Sequence, residues 1–249
     1  MNQSLLGKTA LVTGGGRGIG LAVSRALLEA GAAVTMVGRT ESTLEMASSQ
    51  LSAAGSKLAY FVGDVSDEAT VENAAALARR EFGRIDILVN NAQVIAVASL
   101  MDLSRDDFEA AWQSGPMAAL AFMKECHADL CDGGVVINML SGVGIRWDMD
   151  NYGAYGAAKQ ALATITRTAA CEWGPAGIRV VGVMPNAATD AWVDFEVNYP
   201  EAASDYVARL PLRRMGSPDE IARVIAFLAG PDAGLITGSV VKVDGGFAP

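Results

Sequence analysis

The sequence has little of what nucleic-acid-binding and metal-binding proteins need. Its 249 residues carry 19 basic and 28 acidic side chains, which gives a formal net charge of -9. We expect no nucleic-acid partner, because affinity for a phosphate backbone comes largely from clustered Lys and Arg. His127 is the only histidine, and beside Cys126 and Cys131 it has no second group of ligands, so no metal site is predicted.

Long apolar runs and paired cysteines are also missing. No run approaches the roughly 20 apolar residues that a membrane-spanning helix needs, and residues 1–8 lack the apolar region of a signal peptide. Three cysteines, an odd number, make no disulfide framework and are typical of a reducing compartment. The sequence therefore predicts a cytoplasmic protein with no membrane partner.

What the sequence does contain is a regular alternation of short apolar runs with helical segments. Runs of Val, Ile and Leu without polar alternation predict strands buried on both faces, as in a parallel sheet. The predicted fold is α/β, a doubly wound parallel sheet of about seven strands with helices on both faces. No linker divides the chain, so residues 1–249 are predicted to form a single domain. The predicted strands are Thr9–Val12, Ala33–Val37, Leu58–Val62, Ile85–Val89, Val135–Met139, Arg179–Met184 and Val240–Val243.

A glycine-rich turn follows the first predicted strand. Gly14, Gly18 and Gly20 stand between that strand and a helical stretch that runs to Ala30. Glycine permits positive φ and lets the backbone approach a pyrophosphate, which then lies at the N-terminus of the following helix. A tight turn without a ligand is the alternative, but the position at the first β–α crossover favours a nucleotide site.

The end of the second predicted strand bears on the choice of nucleotide. An NAD site usually has an acid there for the ribose 2′-hydroxyl, whereas this chain reads Val37-Gly38-Arg39-Thr40. Arg39, helped by Arg17, has the charge to pair with a 2′-phosphate, although a solvated surface arginine is the alternative. The sequence therefore favours NADP(H) over NAD(H).

Tyr155 and Lys159 stand four residues apart in a segment typical of a helix. Side chains at this spacing lie on one helix face, one turn from each other. A phenol loses its proton near pH 10, and a neighbouring ammonium lowers that pKa towards a useful range. The pair is therefore a candidate for proton transfer, although helices also carry this spacing by chance.

Taken together, these features resemble the short-chain dehydrogenase/reductase family, whose common form is a single NAD(P)-binding Rossmann domain of about this length. The resemblance extends over nearly the whole chain. The motifs that carry it are the Thr13–Gly20 loop, Asp64-Val65, Asn90-Asn91-Ala92, Ser141, Tyr155 with Lys159, Pro185 and Val243-Asp244-Gly245-Gly246.

The resemblance implies three catalytic residues and a small-molecule carbonyl or alcohol substrate. Tyr155 would be the general acid in reduction and the base in oxidation, with its pKa lowered by Lys159. Lys159 would also bind the nicotinamide ribose, and Ser141 would hold the substrate carbonyl oxygen. A homotetramer (or homodimer) is implied as well. The implied cofactor-binding residues are Gly14, Gly16, Arg17, Gly18, Ile19, Gly20, Arg39, Asp64, Val65, Asn91, Tyr155, Lys159, Pro185 and Thr189.

The chain departs from the family pattern at several positions. Gln93 stands where the family usually has Gly, Asn186 follows Pro185 in place of Gly, and Thr189 lies one place early for a contact to the carboxamide. Gly115 stands where a fourth catalytic residue, asparagine, is usual.

The Gly115 departure bears on activity. In the family the main-chain carbonyl of that asparagine holds a water that links the lysine to solvent. Pro116 has no N–H and is expected to kink the helix by itself. Our hypothesis is that the Gly115 carbonyl still binds this water; the alternative is a broken relay and a weak or inactive enzyme.

Two segments are predicted to flank the substrate, and residues 191–214 are long and irregular enough to form a lid. Aromatic lining would suit a bulky apolar or aromatic ketone or alcohol, although packing of the lid or of an interface is an equal alternative.

The main prediction is an NADP-dependent carbonyl reductase or alcohol dehydrogenase. The alternatives are a nucleotide-binding protein without turnover, acting as a sensor or assembly partner, and a related enzyme of epimerisation or elimination. The two segments predicted to flank the substrate contain Ile145, Arg146, Trp147, Met149 and Tyr152 after Ser141, and Trp192, Phe195, Tyr199 and Tyr206 after the sixth strand.

Overall fold

The centre of the molecule is a parallel β-sheet. A computed structural model describes residues 4–52, 57–146 and 151–248, and within these ranges seven strands form one sheet in the order β3-β2-β1-β4-β5-β6-β7. Every neighbouring pair is parallel. The predicted doubly wound α/β fold is therefore confirmed. The strands are β1 Thr9–Thr13, β2 Ala33–Gly38, β3 Leu58–Val62, β4 Ile87–Asn90, β5 Val135–Met139, β6 Arg179–Pro185 and β7 Val240–Val243.

Helices cover both faces of the sheet. Successive strand residues point to opposite faces, so Val12 belongs to one apolar cluster and Leu11 to the other. Helices α1, α2 and α10 pack on the Val12 face, and α3, α5 and α7 on the Leu11 face. The helices are α1 Gly18–Glu29, α2 Glu41–Leu51, α3 Glu68–Phe82, α4 Arg105–Trp112, α5 Ala118–Glu125, α6 His127–Leu130, α7 Gly153–Trp173, α8 Asp190–Asn198, α9 Pro200–Arg209 and α10 Pro218–Ala229.

The strand order reverses between β1 and β4, which are neighbours in the sheet although they are distant in sequence. Thr13 ends β1 and Asn90 ends β4. The chain leaves these two strands in opposite directions, and the divergence opens a crevice at their carboxyl ends. This crevice is where the candidate site lies.

The structure differs from expectation in two helical regions. The helix expected from about Arg105 to Leu130 is interrupted by a π-helical turn at Gln113–Met117, which contains Pro116. The prediction that residues 191–214 are irregular is wrong, because helices α8 and α9 occupy most of that segment. Helix α9 begins at Pro200, a residue suited to the first helical position. Trp147 and Met149 lie outside the described residues.

Candidate active site

The turn between β1 and α1 can form only because its key positions are glycine. Gly14 and Gly18 have φ of 66° and 52°, the left-handed region that favours glycine. A Cβ on Gly14 would lie 2.7 Å from Nδ2 of Asn91, and one on Gly20 would collide with the Gly14 carbonyl oxygen. The backbone is therefore exposed at the N-terminus of α1, where it can approach a phosphate closely.

Asn91 holds this turn in place. Its Nδ2 donates to the carbonyl oxygens of Thr13 and Gly14, at 3.0 and 3.2 Å. The Thr13 hydroxyl oxygen in turn accepts hydrogen bonds from the backbone N–H groups of Asn91 and Ala92, at 2.9 and 3.1 Å. The side-chain amide of Asn91 thus joins the ends of β1 and β4 and fixes the shape of the turn.

A cleft of about 420 Å³ runs along the carboxyl ends of the strands. It brings together most of the residues predicted to bind the cofactor, together with Gln93 and Ser114, which were not predicted to do so. Tyr155, Lys159 and Pro185, which were also predicted to bind the cofactor, are not among the lining residues. The predicted residues in its wall are Gly14, Gly16, Arg17, Gly18, Ile19, Gly20, Arg39, Asp64, Val65, Asn91 and Thr189.

One end of the cleft is rich in groups that can donate hydrogen bonds to an anion. Arg17 and Arg39 lie there with Thr40 and Thr43, and the latter two were not singled out from the sequence. Nη1 of Arg39 is 3.8 Å from Oδ2 of Asp64, and its side chain is 60% exposed, so the pairing leaves it accessible. A hydrogen bond from the Ser66 side chain, supported by the charge of Arg39, holds the pKa of Asp64 below its usual value.

Ser141, Tyr155 and Lys159 converge at the carboxyl end of β5. A side-chain hydrogen bond joins Tyr155 to Ser141. Nζ of Lys159, one helical turn further along α7, donates to the carbonyl oxygen of Met139 at 2.6 Å and lies 5.4 Å from the centre of the Tyr155 ring. The three side chains that the sequence singled out are thus within reach of one reacting group.

Burial dominates the acid–base properties of this pair. It raises the pKa of Tyr155 to about 12, against the opposing effect of the hydrogen bond with Ser141. Burial also lowers the pKa of Lys159 to about 7. The net direction for Tyr155 is therefore opposite to the expected lowering of its pKa, because burial disfavours the phenolate more than the hydrogen bond with Ser141 favours it.

A small cavity of about 10 Å³ lies behind Lys159. Gly115 and Ser114 of the π-helical turn line it, together with Asn90 at the end of β4. Oδ1 of Asn90 is buried and has no hydrogen-bond partner among the described residues. A cavity of this size and polarity is close to what a single water requires.

Aromatic side chains from α8, α9 and the C-terminal segment form a wall next to the site. The ring centres of Trp192 and Tyr206 are 5.2 Å apart, and those of Tyr206 and Phe247 are 5.5 Å apart. Phe195 lies 5.6 Å from Trp192 and 5.5 Å from Tyr199. Phe247 was missed from the sequence, because it lies far along the chain from the other aromatics and only the fold brings them together.

Polar contacts fix this wall. The Tyr206 hydroxyl donates to Oδ1 of Asn186 at 3.1 Å, which gives the unusual residue after Pro185 a structural use. Arg146 places its guanidinium 4.4 Å from the centre of the Phe247 ring and donates to the Phe247 carbonyl oxygen at 2.8 Å. These contacts direct Arg146 towards Phe247 rather than towards a substrate carboxylate.

Comparison with known proteins identifies the group to which this arrangement belongs. A family model described as "Enoyl-(Acyl carrier protein) reductase" matches residues 14–248. A 12alpha-hydroxysteroid dehydrogenase from a Clostridium species is 36% identical over 250 residues, covering 96% of each chain. The protein belongs to the short-chain dehydrogenase/reductase family. It is accordingly an NAD(P)-dependent oxidoreductase.

Solved structures of the short-chain dehydrogenase/reductase family superpose closely on this chain. A short-chain dehydrogenase/reductase from Serratia marcescens is 33% identical with a TM-score of 0.92, covering 98% of this chain and 99% of its own. A blue fluorescent protein from a metagenomic library, solved in complex with NADPH, is 34% identical with a TM-score of 0.91, covering 99% of this chain and all of its own.

Among the described residues, no group of three or more His, Cys, Asp or Glu side chains is arranged to hold a metal ion. In that same part of the chain, no helix combines the length and the apolar character that crossing a membrane requires.

Proposed function

We propose that the protein interconverts a bulky secondary alcohol and its ketone with NADP(H). The observation that carries this proposal is the hydrogen-bonded pair Ser141–Tyr155 with Lys159 one helical turn away. The Tyr155 hydroxyl gives its proton to the carbonyl oxygen in reduction and takes it back in oxidation, while the Ser141 hydroxyl hydrogen-bonds that oxygen. When bound, the nicotinamide cofactor supplies or accepts the hydride.

The fit of this cofactor to the cleft rests on the glycine-lined turn and on the basic end of the cleft. Because Gly14 and Gly20 have no Cβ, the backbone of the turn packs closely against itself and against Asn91, as the tight turn of a pyrophosphate site requires. Arg39 and Arg17 offer charge to a 2′-phosphate, and no acid stands at the end of β2 to prefer a 2′-hydroxyl. Thr189, whose hydroxyl makes no capping bond to α8, is free to contact the carboxamide.

Cofactor preference is tested by Arg39→Ala. We expect the Kd for NADPH to rise about 10-fold, the value of one charge-assisted hydrogen bond at an exposed site, while the Kd for NADH changes about 2-fold or less. Binding is measured by fluorescence titration of the purified protein. Arg80→Ala is the matched control, because Arg80 is an exposed arginine on α3 paired with Glu81. Equal weakening of both cofactors by Arg39→Ala would contradict the preference for NADP(H).

The substrate proposal rests on the aromatic wall. The rings of Trp192, Tyr206 and Phe247, tilted by 40–47° from one to the next, form an apolar wall next to the catalytic residues. The similarity to a protein named as a 12alpha-hydroxysteroid dehydrogenase supports a large alicyclic substrate over a small one. Segment 191–214, with its two helices, would cover that substrate as a lid.

The test of the proposed function is the oxidation of NADPH against a series of ketones of rising size. Steroid ketones and aryl ketones are expected to turn over faster than acetone or cyclohexanone at equal concentration. The cavity behind Lys159 supports an intact route for the proton through Gly115. The alternative function, a nucleotide-binding protein without turnover, rests on the Gly115-Pro116 sequence. Tight NADPH binding with no turnover on any member of the series would favour that alternative.

A further inference from the structure

The π-helical turn between α4 and α5 is tied to the loop after β4 by a side chain of that loop. The turn spans Gln113–Met117 and contains Pro116, which has no N–H to donate to a preceding carbonyl. Just before the turn, the carbonyl oxygen of Ala111 accepts a hydrogen bond from Nε2 of Gln93, at 3.3 Å.

Gln93 reaches this carbonyl by occupying the space above Gly115. A Cβ on Gly115 would lie 2.7 Å from Nε2 and 2.8 Å from Cδ of Gln93. Real Cβ atoms do not come so close, so a side chain at position 115 and the carboxamide of Gln93 cannot occupy their present positions together. The two residues that depart from the family pattern on this side of the cleft are therefore in direct contact.

The Gln93 carboxamide also carries a cost that packing alone does not explain. Its Oε1 is buried and has no hydrogen-bond partner in the described part of the chain. The carbonyl of Ala111 fixes which end of the amide is the nitrogen, because a carbonyl oxygen can only accept a hydrogen bond. An apolar side chain of the same length would avoid the unpaired acceptor, and cases of this kind call for a reason beyond stability.

We infer that Gln93 is a positioning residue of the active site, which holds the π-helical turn through Ala111 and requires glycine at position 115. The turn is one wall of the cavity behind Lys159, and Gln93 itself lines the nucleotide cleft. A second tie supports the same placement, since the Ser114 hydroxyl accepts the backbone N–H of Val94 and donates to the carbonyl of Ala110. Hydrogen bonds from Gln93 and Val94 thus join the loop after β4 to the π-helical turn and to Ala111 just before it.

This inference rests on the proposed function for its catalytic consequence, but its structural part is tested on the free protein. Gly115→Ala is measured with Gln93 present and in the Gln93→Ala background. With Gln93 present, we expect no gain in Tm and a loss of turnover of about 5-fold or more, because the new methyl displaces the carboxamide. In the Gln93→Ala background the space is open, and the helix propensity of alanine should raise Tm by about 2–4 °C.

Gly174→Ala is the matched control for the added methyl. Gly174 has helical backbone angles, with φ of -52°, and a Cβ there would meet no atom within 4 Å. Its effect on Tm is expected to be the same in both backgrounds. If Gly115→Ala also has one and the same effect in both backgrounds, Gln93 and Gly115 are not coupled and the inference is wrong.

Gln93→Met separates a positioning role from a purely structural one, because it keeps the length of the side chain and removes the amide. We expect Tm to stay within about 3 °C, since losing the bond to Ala111 is offset by removing the unpaired acceptor. Turnover should fall about 10-fold, and the alkaline limb of its pH profile should move upward as solvent reaches Lys159. Unchanged turnover with an unchanged pH profile would overturn the positioning role.

A failure of the positioning role of Gln93 can be distinguished from a failure of the proposed function. If Tyr155→Phe leaves turnover intact, the catalytic assignment fails. The coupling between positions 93 and 115 in Tm, and the Kd for NADPH of the Gln93→Met variant, are measured without turnover. The coupling therefore supports or contradicts the placement of Gln93 on its own.

Discussion

Replacing Tyr155 with phenylalanine should lower turnover by about 100- to 10,000-fold, the range usual for removing a general acid. The ring and its packing are kept, and only the hydroxyl that bonds Ser141 is lost. With a pKa of about 12, that hydroxyl is protonated at neutral pH, so in the free protein it is ready to act as a proton donor for ketone reduction. The measurement is NADPH oxidation with the best ketone substrate at saturating concentration.

Tyr152→Phe is the control for this substitution. Its ring centre lies 6.3 Å from that of Tyr155, so it makes the same chemical change in the same part of the site. We expect the Tyr152 variant to keep turnover within about 3-fold, and both variants to bind NADPH as the wild type does. Turnover of the Tyr155 variant above one-tenth of the wild-type value would show that another group delivers the proton.

The sheet was predictable because its strands have to be apolar on both faces. The predicted strands at Leu58–Val62, Val135–Met139 and Val240–Val243 have the observed bounds. Errors appeared where polar residues lie at strand ends. The fourth strand begins at Ile87 rather than Ile85, since Asp86 next to it accepts bonds from Lys8 and from the backbone of Thr9 instead of continuing the apolar run.

The residues of the site were predictable where a motif has a local reason. The glycines that adopt positive φ have a local signature, and the spacing of Tyr155 and Lys159 predicts one helix face, although that spacing also occurs by chance. The rise in the pKa of Tyr155 could not be predicted from the sequence. It comes from burial of the ring, and residues distant in sequence determine how far the ring is buried. The same holds for Asn91, whose role in the glycine-rich turn follows from the parallel pairing of β1 and β4.

The contact between Gln93 and Gly115 shows what sequence comparison with a family pattern misses. Both positions were recognisable from the sequence as departures, and only Gly115 was linked there to a loss of activity. In the fold, the carboxamide of Gln93 occupies the space that a side chain at position 115 would need. A simple Gly115→Asn exchange is therefore a poor test of the proton route, because the new side chain meets the Gln93 carboxamide before it meets any water.

Lys159→Met should change how stability depends on pH, as well as remove turnover. Burial lowers the pKa of Lys159 to about 7 in the folded protein, against a usual value of about 10.4 in the unfolded chain. Between these two values the unfolded state binds a proton that the folded state does not. The free energy of unfolding of the wild type should therefore rise with pH in that window, by at most about 1.4 kcal/mol per pH unit.

The comparison with Lys159→Met isolates this contribution, because all other titrating groups are common to both proteins. We expect the methionine variant to be the more stable at pH 6.5, since it buries no charge, and its advantage to shrink steadily up to about pH 9. Urea unfolding at several pH values under reducing conditions measures the difference. Parallel pH profiles would mean that Lys159 keeps an ordinary pKa in the fold.

The same variant links stability to the proposed chemistry. Burial acts on both groups in the free protein, because it lowers the pKa of Lys159 and raises that of Tyr155. The ammonium form of Lys159 is the one that favours loss of the phenolic proton. Lys159→Met should lower kcat/KM for alcohol oxidation and for ketone reduction by the same factor at any one pH, because both directions pass through one transition state. A Lys159→Met variant that keeps kcat and loses only affinity for the cofactor would assign Lys159 to binding alone.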